Sequence, residues 1–206
     1  MPNVGVILCD LLTALLDSWT LWDAAAGSQA DGRRWRMRYL ELTYGSTVYT
    51  PYEDLVRQSA TEAGVGAAAA HALVERWDEL APWPEVPGVL GELQDAGYRL
   101  GVVTNCSEEL GYRAAARLGL PVHVVTAERA GAYKPNAAPY RLALDEMGVR
   151  AEHALFVAGS PSDIGGAGRV GMPVVWHNRI HLPAPPEPVT QLETLRELSV
   201  RLQVGL

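Results

Sequence analysis

The sequence predicts an α/β protein: an open parallel sheet flanked by helices and interrupted early by an all-helical insertion. Three observations lead there. Five short apolar runs recur along the chain, helical patterns stand between the last four, and roughly residues 18–84 carry helical periodicity with no strand alternation. Strands that alternate with helices imply a parallel sheet, because a parallel crossover needs a helix-sized connection.

In chain order, VGVIL (4–8) reads as the first buried strand. The segment that follows is rich in Trp, Ala and Arg and reads as a helical cap, 18–84, inserted after that strand. APWPEVPG (81–88), dense in proline, is the return hinge. RLGVV (99–103), VHVVT (122–126), ALFVA (154–158) and MPVVW (172–176) are the remaining strands. VLGELQDAGY, ELGYRAAARLG and PYRLALDEMGV supply helices between them, the last closing on a glycine that suits a helix stop. The tail HLPAPPEPV reads as a loop around a last connection, and TQLETLRELSVRL as a short amphipathic stretch. The expected division is a core of 1–17 and 85–206 with the cap inserted between.

Composition narrows the partners. The 206 residues are 48% hydrophobic and 20% charged, and the formal charge of −7 argues against nucleic acid or an anionic membrane surface. There is no run of 18 apolar residues and no basic stretch ahead of VGVIL, so neither a membrane helix nor a signal peptide is expected. Two cysteines, Cys9 and Cys106, make no disulfide framework and point to the reducing cytoplasm. CxxC and clustered His/Cys spacings are absent, so no metal site is expected. Of the 17 basic residues a single one, Lys134, is lysine. Lysine is a compact point charge where arginine is a planar fork, which matters where a cation must fit a small space.

The first strand raises the functional question, since VILCD runs from apolar residues straight into a carboxylate. An isolated buried carboxylate is costly unless it is paired or used. Alone, Asp10 reads as a cap or turn residue. Yet Thr104 and Asn105 follow the second strand, Lys134 the third, and Ser160 and Asp163 the fourth. In open parallel sheets ligands bind at the carboxyl ends of the strands, so this convergence makes Asp10 a reactant.

These motifs, in this order, resemble those of the haloacid dehalogenase superfamily. VILCD matches its strand ending in a nucleophilic Asp, GVVTN its strand ending in Ser or Thr, YKP its isolated Lys, and VAGSPSD its acidic loop. Within the superfamily the chain looks most like the L-2-haloacid dehalogenase branch. WRMRYLELT (35–43) is similar to that branch's Trp-Arg pair, which makes Arg36 the cap arginine; Tyr140 stands six residues after Lys134, and PVVWHNR resembles its Trp-x-Asn-Arg ending. The resemblance implies a Rossmann-like core with a cap. It also implies Asp10 as nucleophile, Lys134 holding it ionised, and Asp163 handling the hydrolytic water. Arg36, Thr104, Asn105, Tyr140 and Ser160 are then expected around the substrate.

The chain also departs from the pattern. Superfamily phosphatases carry a second Asp two positions after the nucleophile, and the dehalogenases usually a Tyr; here the residue is Leu12, followed by Thr13 and Ala14. Ala158 and Ser160 stand where the dehalogenases use Ser and Asn. Leu12 favours one chemistry over another. An alkoxide leaving group wants a proton, and a general acid supplies ~10²–10⁴-fold, whereas halide departs without one. The expectation is therefore metal-independent dehalogenation of a small 2-haloacid through an aspartyl ester, with no cofactor. Two rivals remain: an Mg²⁺-dependent phosphatase, and a catalytically reduced scaffold binding a small acid or a protein. Thr104 and Asn105 read equally as turn residues, and Tyr140 equally as core packing. A homodimer is left open.

Overall fold

The computed structural model describes residues 4–46, 48–186 and 188–204. Six strands form one sheet in which every neighbouring pair is parallel: β1 (Val6–Asp10), β2 (Arg99–Thr104), β3 (His123–Thr126), β4 (Ala154–Ala158), β5 (Val174–His177) and β6 (Thr190–Leu192). Their spatial order is β3-β2-β1-β4-β5-β6. That is the doubly wound Rossmann-type order, with its switch point between β1 and β4.

Why the strands read as unbroken apolar runs is visible in β1. Ile7 and Cys9 belong to the core on one face of the sheet, Val6 and Leu8 to the core on the other. A strand covered on both faces has no polar side to alternate with. β6 departs from the sequence reading, which had a loop and an amphipathic stretch there. It is a three-residue edge strand with only Leu192 buried, too short to carry a period.

Between β1 and β2 lie α1 (Ser18–Ala26), α2 (Gln29–Gly45), α3 (Tyr52–Glu62), α4 (Ala67–Glu75) and a 3₁₀ turn, Trp77–Glu79. Local chemistry starts the first two helices: Asp17 accepts from the Thr20 amide and Ser28 from the Asp31 amide. The insertion's aromatic residues join the core that covers one face of the sheet. Trp22 and Trp35 pack as a tilted pair at 4.5 Å, Tyr39 leans on Trp22 at 5.3 Å, and Tyr52 bridges Tyr39 to Trp77. The outgoing and returning connections run side by side, with Asp17 donating to Ala81 and Trp83 to Leu15 at the bridge Leu16–Pro82.

The remaining helices are α5 (Val86–Asp95), α6 (Glu108–Ala116), α7 (Ala127–Ala130), α8 (Ala137–Glu146), α9 (Pro161–Val170) and α10 (Arg196–Val204). No helix among the described residues is long and apolar enough to cross a membrane.

Candidate active site

At the carboxyl end of β1, Asp10 is 8% exposed and its two oxygens have different surroundings. Oδ2 accepts from the backbone amides of Thr13 (2.8 Å) and Ala14 (3.1 Å). Its far side is closed by Gly159, where a Cβ would stand 2.4 Å from that oxygen; only glycine lets the loop after β4 approach so closely. Oδ1 accepts from Lys134 Nζ at 2.8 Å.

The ammonium lies between two carboxylates. It sits 3.1 Å from Asp163 Oδ1 and 3.3 Å from Asp163 Oδ2, and it is 3% exposed. Burial alone would strip its proton, but the two carboxylates outweigh that and raise its pKa above the ordinary lysine value. Burial pushes the Asp10 carboxyl up as well, yet the Lys134 charge and the two amides hold it below the usual carboxylate range. Asp163 goes the other way: burial dominates, Asp10 adds repulsion, and its pKa is raised. One ammonium between two carboxylates thus makes one a settled anion and the other a readily protonated base.

Each of these groups is held from behind. Asn105 clamps the Lys134 backbone, accepting from its amide at 2.7 Å and donating to its carbonyl at 3.1 Å. Tyr140 donates to Asp163 Oδ1 at 2.8 Å. Ser160 caps α9, and its hydroxyl reaches Ser162 at 2.9 Å and Asp163 Oδ2 at 3.4 Å. Asp163 lies in the first turn of α9, where the helix dipole favours negative charge.

The structure sorts the basic cluster RRWRMR. Arg34 pairs with Asp31, and Arg38 with Glu41 and Glu62, on the surface. Arg36 is 5% exposed, donates to Ser18 Oγ (2.7 Å) and Thr13 Oγ1 (3.0 Å), and lies 4.0 Å above the Trp19 ring. Among the described residues its guanidinium makes no ion pair with a carboxylate.

Asp10, Arg36, Lys134 and Asp163 all line one cavity of about 380 Å³, and Asn105 and Ser160 line it too. Two residues expected around the substrate do not reach it. Thr104 shares its face of β2 with Leu100 and Val102, is fully buried, and contacts Cys106 Sγ at 3.4 Å. Tyr140 is fully buried behind Asp163, edge-on to Phe156. Sequence reasoning missed Trp19, Tyr39 and Tyr44 from the insertion and Leu182 from the loop after β5. No local pattern marks them.

No group of three or more His, Cys, Asp or Glu side chains among the described residues is placed to hold a metal ion. The donor set is also a poor fit to a divalent cation, since all four oxygens of Asp10 and Asp163 already accept from protein donors.

An acidic strand-end residue paired with a buried lysine at the switch point of a Rossmann-type sheet defines the class, and comparison with known proteins gives the family. The family model for haloacid dehalogenase-like hydrolases matches residues 13–171. The chain is 33% identical over 163 residues to (S)-2-haloacid dehalogenase 1 of Pseudomonas sp. (strain CBS-3), covering 72% of this chain and 71% of that one. A crystal structure of an L-2-haloacid dehalogenase superposes with a TM-score of 0.87 at 25% identity, covering 98% of this chain and 99% of that one. A phosphoglycolate phosphatase of Rhodospirillum rubrum is 36% identical over a shorter span, 59% of this chain and 52% of that protein. The chain belongs to the haloacid dehalogenase-like hydrolases.

Proposed function

We propose that the protein is a metal-independent dehalogenase of small 2-halocarboxylates, with 18–84 acting as a cap over a core of 1–17 and 85–206. The observation that carries the reading is the pairing of an ionised, amide-cradled Asp10 with a buried, carboxylate-free Arg36 across one cavity. An anionic substrate entering there meets a nucleophile and a cation that lacks an acidic partner.

In the first step Asp10 Oδ1, the oxygen not enclosed by Gly159 and the two amides, attacks the halogenated carbon. A carbon–oxygen bond forms as the carbon–halogen bond breaks, and halide leaves with the electron pair. Arg36, a fixed guanidinium in a buried setting, stabilises the departing anion or the substrate carboxylate. In the second step water attacks Cγ of the Asp10 ester and gives a proton to Asp163, which burial and the neighbouring Asp10 make a stronger base than an ordinary carboxylate. Negative charge then collects on Oδ2, which the Thr13 and Ala14 amides already face, an oxyanion-hole arrangement. Collapse breaks the bond between Cγ and Oδ1, so the 2-hydroxy acid leaves with an Asp10 oxygen, and the proton remaining on the new Asp10 carboxyl passes to solvent and restores the carboxylate. Lys134 lies against both Oδ1 and Asp163 and returns the proton to the departing oxygen.

Leu12 lines the cavity and has no proton to give an alkoxide, which disfavours phosphomonoester cleavage. We place the enzyme in the cytoplasm, where Cys9 and Cys106, both buried and free, stay thiols. The test is a panel of 2-haloacids and phosphomonoesters assayed with and without EDTA. Halide release unchanged by chelation is expected. EDTA-sensitive phosphate release without halide release would overturn the reading.

A further inference from the structure

The cavity is larger than its chemistry needs. Asp10, Arg36, Lys134 and Asp163, each 8% exposed or less, form its buried, charged part. The less buried part of the lining is mixed: Leu40, Leu182 and Met37, the last 51% exposed, are apolar, while Ser160, Ser162 and Tyr44 bring hydroxyls. At about 30 Å³ per liquid water, the volume of 380 Å³ equals roughly a dozen waters, whereas a three-carbon 2-haloacid has about half that many heavy atoms. A three-carbon substrate therefore leaves part of this cavity unfilled, and Leu12, Leu40, Met37 and Leu182 are the aliphatic side chains that line it.

Leu182 is fixed in place rather than left on a loose loop. The Asn178 side chain, 3% exposed, accepts from the Leu182 amide at 2.7 Å and donates to its carbonyl at 2.9 Å. Two hydrogen bonds from one buried amide close the turn after β5 and present Leu182 to the cavity. Leu182 lines the same cavity as Leu40 and Met37 of α2, and a side chain already held in place binds an apolar group without the cost of ordering the loop.

We infer that the site takes 2-halocarboxylates whose halogenated carbon carries an alkyl chain of several carbons, seated against Leu12, Leu40, Met37 and Leu182. This rests on the dehalogenase reading and adds the substrate's side chain to it. Asn178 is a positioning residue that acts through Leu182.

The experiment measures kcat/KM for halide release from (S)-2-bromopropanoate, -butanoate, -pentanoate and -hexanoate. Each methylene buried on binding is worth about fourfold, so kcat/KM climbs by about that factor per carbon until the space is filled. Leu182→Ala and Asn178→Ala flatten the climb, lowering the hexanoate value several-fold more than the propanoate value. A flat or falling series with bromopropanoate still turned over overturns this inference and leaves the dehalogenase reading standing. No halide from any of the four acids overturns both. Equal losses on all four acids in Leu182→Ala would remove Leu182 from the specificity wall.

Discussion

Replacing Tyr140 with Phe removes one oxygen from a buried, tightly specified place. The Tyr140 hydroxyl donates to Asp163 Oδ1 at 2.8 Å, with Tyr140 fully buried and Asp163 3% exposed. Phe keeps the ring and its edge-on contact with Phe156 at 5.2 Å, so packing is preserved and only the donor is lost. A hydrogen bond to a charged group is worth about 1.5–3 kcal/mol. At 1.36 kcal/mol per pKa unit, that corresponds to about one to two units. Lys134 still donates to Asp163 after the substitution, which puts the expectation at the lower end, about one unit. The bond favours the ionised form, so its loss raises the pKa of a carboxyl that burial has already raised. The acid limb of the ester-hydrolysis rate therefore moves to higher pH by about one unit, while the rate well above it changes little. Rapid-quench decay of the aspartyl ester across pH reads this directly. An unshifted acid limb would refute the assignment of Asp163 as the base. A uniform loss at every pH would mean that the hydroxyl acts on the site otherwise than through the Asp163 pKa.

Lys134→Arg keeps the charge but not the shape, and a planar fork cannot take a point-charge site bounded by Asp10 at 2.8 Å and Asp163 at 3.1 Å. With Asp10 no longer held by a correctly placed cation, kcat/KM should fall by at least about a hundredfold, ~2.7 kcal/mol of transition-state stabilisation; a loss of only a few-fold would make Lys134 a bystander. His177 gives a pH effect on stability. It is fully buried, its Nδ1 donates to the Ala14 carbonyl at 2.7 Å, and among the described residues Nε2 has no hydrogen-bond partner, with Glu85 3.8 Å away; burial lowers its pKa below 6.5. The unfolded chain then binds the proton more readily than the folded one, so stability is lost as pH falls below 6.5 toward the folded value. His177→Asn, which keeps a donor without titrating, should flatten that part of the urea-midpoint profile. An unchanged slope would assign the acid sensitivity to other groups.

The strands of the inner sheet were legible because burial on both faces leaves an unbroken apolar run, as in VILCD. β6 was not, since an edge strand of three residues with two exposed carries no such signature. Asp10, Lys134 and Asp163 were legible because residues that follow parallel strands gather at one edge of the sheet whatever the details of packing. Arg36 needed the neighbouring Trp35 and the resemblance to be picked from a cluster of four arginines. Thr104 was misplaced by one face: strand parity sets it with Leu100 and Val102, toward α6 and away from the cavity. Tyr39, Tyr44 and Leu182 were beyond reach, because their approach to the cavity depends on how the insertion and the loop after β5 pack on the core.

The central claim is that Asp10 becomes covalently attached to substrate and is released by water attacking its own carbonyl carbon. A single turnover with enzyme in excess, run in ¹⁸O-water on a 2-bromocarboxylate, tests it most directly. Mass spectrometry of the proteolysed enzyme should find one ¹⁸O in the peptide that contains Asp10, with the 2-hydroxy acid product unlabelled. Label in the product and none in that peptide would mean that water attacks the substrate directly, and the account built on Asp10 as nucleophile would be wrong.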